Sequence, residues 1–276
     1  MVDNSPPAMA LGLDRSHKVR FALIAIGVFL LAYNIRLVLF RIDAFAAFYR
    51  AYPWQVGETA WKSIWVALAI VGVMAAHRVG VPGALRELGL WGAAGFALGA
   101  ALVATLPVAA LGVVLPVNPS LTLLPIWMTA VVSPLSEEVL FRGYLFHQLY
   151  ERAGWPVWVA VVMNVVPFAW GHIGQAAQTG MGLLGAVLVL LITGVGAALA
   201  SWLLVRWEYN LWFIIGLHAL VNLWWYVFAV DETVIGGWAG NIARLLTFAL
   251  AILISLQRAR LVAWLRRRSV EVTGAA

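Results

Sequence analysis

The chain has 276 residues, of which 63% are hydrophobic and only 11% charged; a soluble domain is about a quarter charged, so an ordinary soluble fold is excluded and a membrane protein is left. The net charge of +6 comes from basic residues at the chain ends and in loops, which is the signature of membrane orientation rather than of nucleic-acid binding. There is no cysteine, which removes disulfides, thiol nucleophiles, iron–sulfur clusters and Cys-based zinc sites.

In chain order, a polar start and the basic residues Arg15, Lys18 and Arg20 precede an apolar run from Phe21 to Phe40 with no small-residue cleavage site. The run therefore reads as a retained first span, about 19–40, with Arg36 near its far end able to snorkel to the headgroups. Residues 41–56 read as an interfacial connection, and 57–77 as span two. Span three, about 88–115, carries Gly95 and Gly99 in the GxxxG spacing that permits close helix approach. Span four, within 121–150, contains Ser133-Pro134, which fits either the N-cap and first position of a half-helix or a continuous helix kinked at Pro134. Spans five to eight follow at about 155–173, 180–205, 210–230 and 241–263. The expectation is an all-α, polytopic transmembrane helix bundle of about eight spans forming a single membrane domain over 1–276. An N-terminal tail (1–18) and a basic C-terminal tail (264–276) both lie on the cytoplasmic side by the Lys/Arg count.

Span four carries the chemistry. No Asp, Glu, Lys or Arg occurs from Leu88 to Ser136 or from Ala153 to Val205, yet Glu137, Glu138 and Arg142 fall within six residues between those stretches. An ionisable group mid-membrane costs about 2.5–3.5 kcal/mol even on lenient scales, so such groups are paired, inward-facing and functional by default. On a helix, Glu138 and Arg142 are i,i+4 with the acid N-terminal, the favourable order for an ion pair. Glu137 turns to a neighbouring face with Phe141, Tyr144 and Gln148 and has no partner on its own helix. His147 reads as interfacial. Later spans add Phe168 with His172, and His218 with Asn222, each pair at i,i+4. There is no HExxH helix and no G-x-S-x-G elbow, and the four aspartates all lie outside span centres. What remains is a Glu, two His and an Asn, a set able to activate water and stabilise an oxyanion, or to coordinate a metal.

Glu137-Glu138-x-x-x-Arg142, Phe168-x-x-x-His172 and His218-x-x-x-Asn222 resemble, in order and on separate spans, the three motifs of the CAAX protease and bacteriocin-processing family of intramembrane proteases. The resemblance covers about residues 120–230. It implies a glutamate-type intramembrane endopeptidase, with its catalytic residues on spans four, five and seven. Glu137 is then the general base, His172 holds the water, His218 and Asn222 stabilise the oxyanion, and Glu138 and Arg142 brace the site. No metal is favoured, an Asn suiting an oxyanion donor better than a zinc ligand; a zinc-dependent version would use Glu137, His172 and His218. The expected partners are the lipid bilayer and a membrane-anchored peptide or protein cut near its C-terminus, in a bacterial cytoplasmic membrane. Alternatives are a non-catalytic membrane immunity or scaffold protein and, last, a proton-coupled transporter.

Overall fold

The computed structural model describes residues 14–273, with side chains described as far as residue 263. Residues 1–13 of the expected N-terminal tail and residues 274–276 lie outside the described residues. Every regular element among the described residues is helical, as expected where the bilayer offers the backbone no hydrogen-bond partner. Helix α1 spans Arg15–Leu39, α2 Asp43–Ala51, α3 Trp54–His77 and α4 Val81–Glu87. Helices α5 (Ala94–Ala104) and α6 (Leu106–Val113) form a pair bent by 50°, with Pro107 just inside the second member. Then come α7 (Leu123–Arg152), α8 (Val157–Gly171), α9 (Gly182–Arg206), α10 (Trp212–Val227) and α11 (Trp238–Thr273).

The expected segments are not equal spans. Helices α1, α3, α7, α9 and the Trp238–Ala263 part of α11 are each long and apolar enough to cross a membrane, and the bent α5/α6 pair makes six. Helices α8 and α10 have 15 and 16 residues, about 22–24 Å at 1.5 Å per residue, short of a ~30 Å hydrocarbon core. Both carry candidate residues at or near positions where a full span would be apolar. The basic tail is not set off from span eight: the α11 backbone stays helical through Thr273.

Helix α7 is the hub, packed against α1, α3, α8, α9 and α10. Its stretch Glu138–Phe146 is buried throughout, which is why it can be apolar on every side and still hold charges. Large apolar side chains such as Leu23, Leu183 and Leu245 are instead exposed on the periphery, the arrangement of a protein solvated by lipid.

The GxxxG reading of α5 is corrected by the helix phase. A Cβ built on Gly95 or Gly99 meets nothing within 4 Å, whereas one on Gly216 of α10 meets Leu98 Cδ2 at 2.9 Å and Ala101 Cβ at 3.0 Å. Close approach between α5 and α10 thus uses Gly216 against the buried Ala97–Ala101–Ala104 face. Gly216→Leu is expected to overpack this seam, costing about 1–3 kcal/mol and lowering the thermal midpoint in detergent; Gly95→Leu should leave it unchanged.

At the far end of α7, His147 is buried, not interfacial. It is 5% exposed and stacks on Tyr209 with ring centroids 4.2 Å apart. Beside it, Glu87 accepts from Arg152 at 2.6 Å through both Nε and Nη2, while Gln148 bridges to Glu87 and His77. Burial pushes the Glu87 carboxyl up, but the Arg152 hydrogen bond and the charges of His147, Arg152 and His77 outweigh it and hold the pKa at about 2. A lowered folded pKa means this clamp contributes in full above the ordinary value of 4.5 and is lost as pH falls from there toward about 2. The thermal midpoint should fall across that window, and Glu87→Gln should flatten the slope.

Candidate active site

Ser133 is not a helix cap. Its φ of −62° and ψ of −54° are helical, and α7 runs unbroken past Pro134, so the continuous-helix reading holds. Pro134 has no N–H to donate, and the winding changes around it: 127–132, 138–146 and 148–152 are wound with wide π turns, while Ser133–Glu137 stays α-helical. Such turns are uncommon and concentrate at functional positions. Here they leave the Thr129 carbonyl able to accept from Asn222 Nδ2 at 3.0 Å.

The two carboxylates face different partners. Glu138, 2% exposed, accepts from Arg142 Nη1 at 3.3 Å and from His218 Nδ1 at 2.7 Å, both on Oε1. The Arg142 guanidinium lies 4.1 Å from the centroid of the Phe168 ring, a cation–π seat that helps hold a charge this deeply buried. Three elements, α7, α8 and α10, thus meet in one buried cluster.

Glu137 looks toward α3. Its Oε1 accepts from Lys62 Nζ at 2.6 Å, and the same ammonium donates to Ser133 Oγ at 3.0 Å. The absence of a partner on its own helix stands, but a partner from α3 corrects the picture of a lone carboxylate. Lys62 is the functional candidate that the sequence reading passed over. The signal was present: Lys62 is one of only two lysines in the chain and lies inside span two, where the mid-membrane test applied to Glu137 applies equally.

Lys62, Glu137 and His172 line a cavity of about 200 Å³, with Arg36 and Glu58 also on its wall. Arg36 does not simply reach out to headgroups: it stands 3.8 Å from Glu58 Oε1 and over the Trp61 and Phe40 rings. His172 sits just past the last turn of α8, where its Nδ1–H donates to the Phe168 carbonyl at 2.8 Å. That bond leaves Nε2 of the neutral ring as an acceptor. His218, with Nδ1 held by Glu138, likewise has Nε2 free of that contact.

The structure does not bring all four predicted catalytic residues to one wall. Glu137 and His172 share the cavity, whereas His218 and Asn222 meet α7 at Glu138 and Thr129 and are not part of its lining. Tyr144 and Gln148 are buried packing and bracing groups rather than cavity walls: Tyr144 donates to the Ile24 carbonyl at 3.3 Å.

The residues as placed do not make a zinc site: among the described residues no three His, Asp or Glu side chains form a group that could hold a metal ion, and Glu137 is turned to the Lys62 ammonium.

Residues 119–224 match the family model described as Type II CAAX prenyl endopeptidase, Rce1-like. That stretch is similar to a CAAX-type endopeptidase. The matched stretch runs from the turn before α7 into α10 and holds Glu137, Glu138, Arg142, His172, His218 and Asn222. The match leaves out Lys62, Arg36 and Glu58, which α1 and α3 bring to the cavity. Comparison with curated proteins and with solved structures finds no match.

Proposed function

We propose that the protein is a glutamate-type intramembrane endopeptidase that hydrolyses a peptide bond in a membrane-associated peptide or protein near its C-terminus. One observation carries the reading: within the stretch that resembles an endopeptidase, Glu137 and the acceptor face of His172 border the same small cavity. Glu137 takes a proton from a water held by His172 Nε2, the resulting hydroxide adds to the scissile carbonyl, and Glu137 returns the proton to the leaving amine as the C–N bond breaks. His218 donates to the tetrahedral oxyanion from Nε2 as the imidazolium, its other N–H given to Glu138, and Asn222, one turn further on α10, donates from its side-chain amide. Glu138 fixes the His218 ring through Nδ1, and Arg142 neutralises Glu138. The wider setting is a bacterial cytoplasmic membrane with both termini on the cytoplasmic side.

The test is purified full-length protein in proteoliposomes, incubated with a panel of N-acylated apolar peptides, with products read by mass spectrometry. Peptide-bond cleavage that survives exhaustive chelation and disappears in Glu137→Gln supports the reading. A panel left intact by wild-type protein favours the non-catalytic scaffold instead, and turnover abolished by chelation favours the zinc version.

A further inference from the structure

Resting on the endopeptidase reading above, we propose that Lys62 is the positioning residue of the general base. Its ammonium holds Oε1 of Glu137, keeps the carboxylate charged, and leaves Oε2 as the oxygen that takes the proton from water.

Glu137 needs a cation that its own helix does not supply. A carboxylate buried in protein is readily neutralised by taking up a proton, and a protonated carboxyl cannot act as a base. Arg142, the cation on the same helix, is engaged by Glu138 at 3.3 Å. Lys62 of α3 fills the gap, donating to Oε1 at 2.6 Å. Among the described residues no hydrogen bond reaches Oε2, and Glu137 lines the cavity that His172 also borders. One oxygen is tethered and the other is left for chemistry.

The ammonium is itself held in place. Ser133 Oγ, one turn before Glu137 on α7, accepts from it at 3.0 Å. The Trp61 and Trp65 ring centroids lie 5.7 and 5.6 Å away, within reach of cation–π attraction. Such a seat is more than a tie between α3 and α7 requires. That seam is already closed by Trp65 against Phe141, with centroids 6.0 Å apart, and by Gly72, where a Cβ would meet the Tyr144 hydroxyl at 2.7 Å. A buried ion pair is often no more stabilising than apolar packing in its place, so the reason for this one lies in the reaction.

The same charge bears on the second half of the reaction. Once Oε2 has taken a proton from water, the ammonium faces a neutral carboxyl and has lost its anion. Return of that proton to the leaving amine, as the C–N bond breaks, restores the ion pair. Lys62 keeps its own protons throughout and fixes the ionised state in which the cycle starts and ends.

The experiment compares full-length wild type, Lys62→Met, Lys62→Gln and Lys62→Arg in proteoliposomes near neutral pH, with two readouts. On a peptide that the wild type cleaves, Lys62→Met and Lys62→Gln should lower kcat about 10²-fold or more, as loss of a working general base does, with KM little changed. Lys62→Arg should recover most of the rate. Independently of turnover, infrared difference spectra against the same protein carrying Glu137→Gln should show an ionised Glu137 in wild type and Lys62→Arg. They should show a protonated one in Lys62→Met and Lys62→Gln. Lys62→Gln, which keeps a donor without the charge, stands in if Lys62→Met does not fold. The proposal is overturned by kcat near wild type in a neutral variant, by a loss confined to KM, or by a carboxylate equally ionised with and without Lys62. Failure of both neutral variants to fold, with Lys62→Arg folded, makes Lys62 a brace and overturns it too. If the wild type cleaves no peptide, the endopeptidase reading falls, and the infrared comparison alone decides whether Lys62 sets the charge of Glu137.

Discussion

Glu137→Gln is expected to lower peptide hydrolysis about 10²–10⁴-fold, the usual loss when a positioned general base is removed. The substitution keeps the shape of the side chain and an oxygen for Lys62 to donate to, but removes the basicity. Its structural cost should be limited, because Lys62 borders the cavity and Ser133 Oγ still accepts from it. The measurement is initial rate per folded protein in the same vesicles. Turnover within a few-fold of wild type would show that Glu137 is a bracing group.

Arg142→Met should have the largest effect on stability. Arg142 is 1% exposed, faces Glu138 at 3.3 Å and lies on the Phe168 ring. Removing it strands a buried carboxylate, a loss of about 3–5 kcal/mol, and takes away the cation that anchors α7 to α8. Its Glu138 partner also orients His218, so activity should fall as well. Adding Glu138→Gln to Arg142→Met should restore part of the stability, because a neutral pair no longer leaves a charge uncompensated. Denaturant or thermal unfolding in detergent checks both, and a double variant as unstable as the sum of the two singles would contradict the coupling.

What the sequence made legible was local. Helical spacing joined Glu138 to Arg142, hydropathy marked the long helices, and three motifs pointed to the family whose model matches 119–224. What it hid depended on how helices sit against one another. Nothing in the spacing along α7 reveals that α3 delivers Lys62 to Glu137, or that His218 bonds to Glu138 rather than to Glu137. The wide turns of α7 escaped because a π turn has no simple residue pattern, and they undo any reckoning at a fixed 100° per residue. Gly95 and Gly99 misled for a related reason: small residues permit close approach, but helix phase decides which face is used, and there the contact fell to Gly216. The short lengths of α8 and α10 likewise emerge only when the loops beside them are placed.

The central claim is that two adjacent carboxylates on one helix divide the work, Glu137 reacting and Glu138 bracing. The most direct measurement compares Glu137→Gln and Glu138→Gln side by side for turnover and for thermal midpoint in one preparation. The account predicts that Glu137→Gln loses turnover with a small change in midpoint. Glu138→Gln should show the larger fall in midpoint, because it strands Arg142, which cannot give up its proton. The opposite pattern, with Glu137→Gln active and Glu138→Gln stable but inactive, would contradict it.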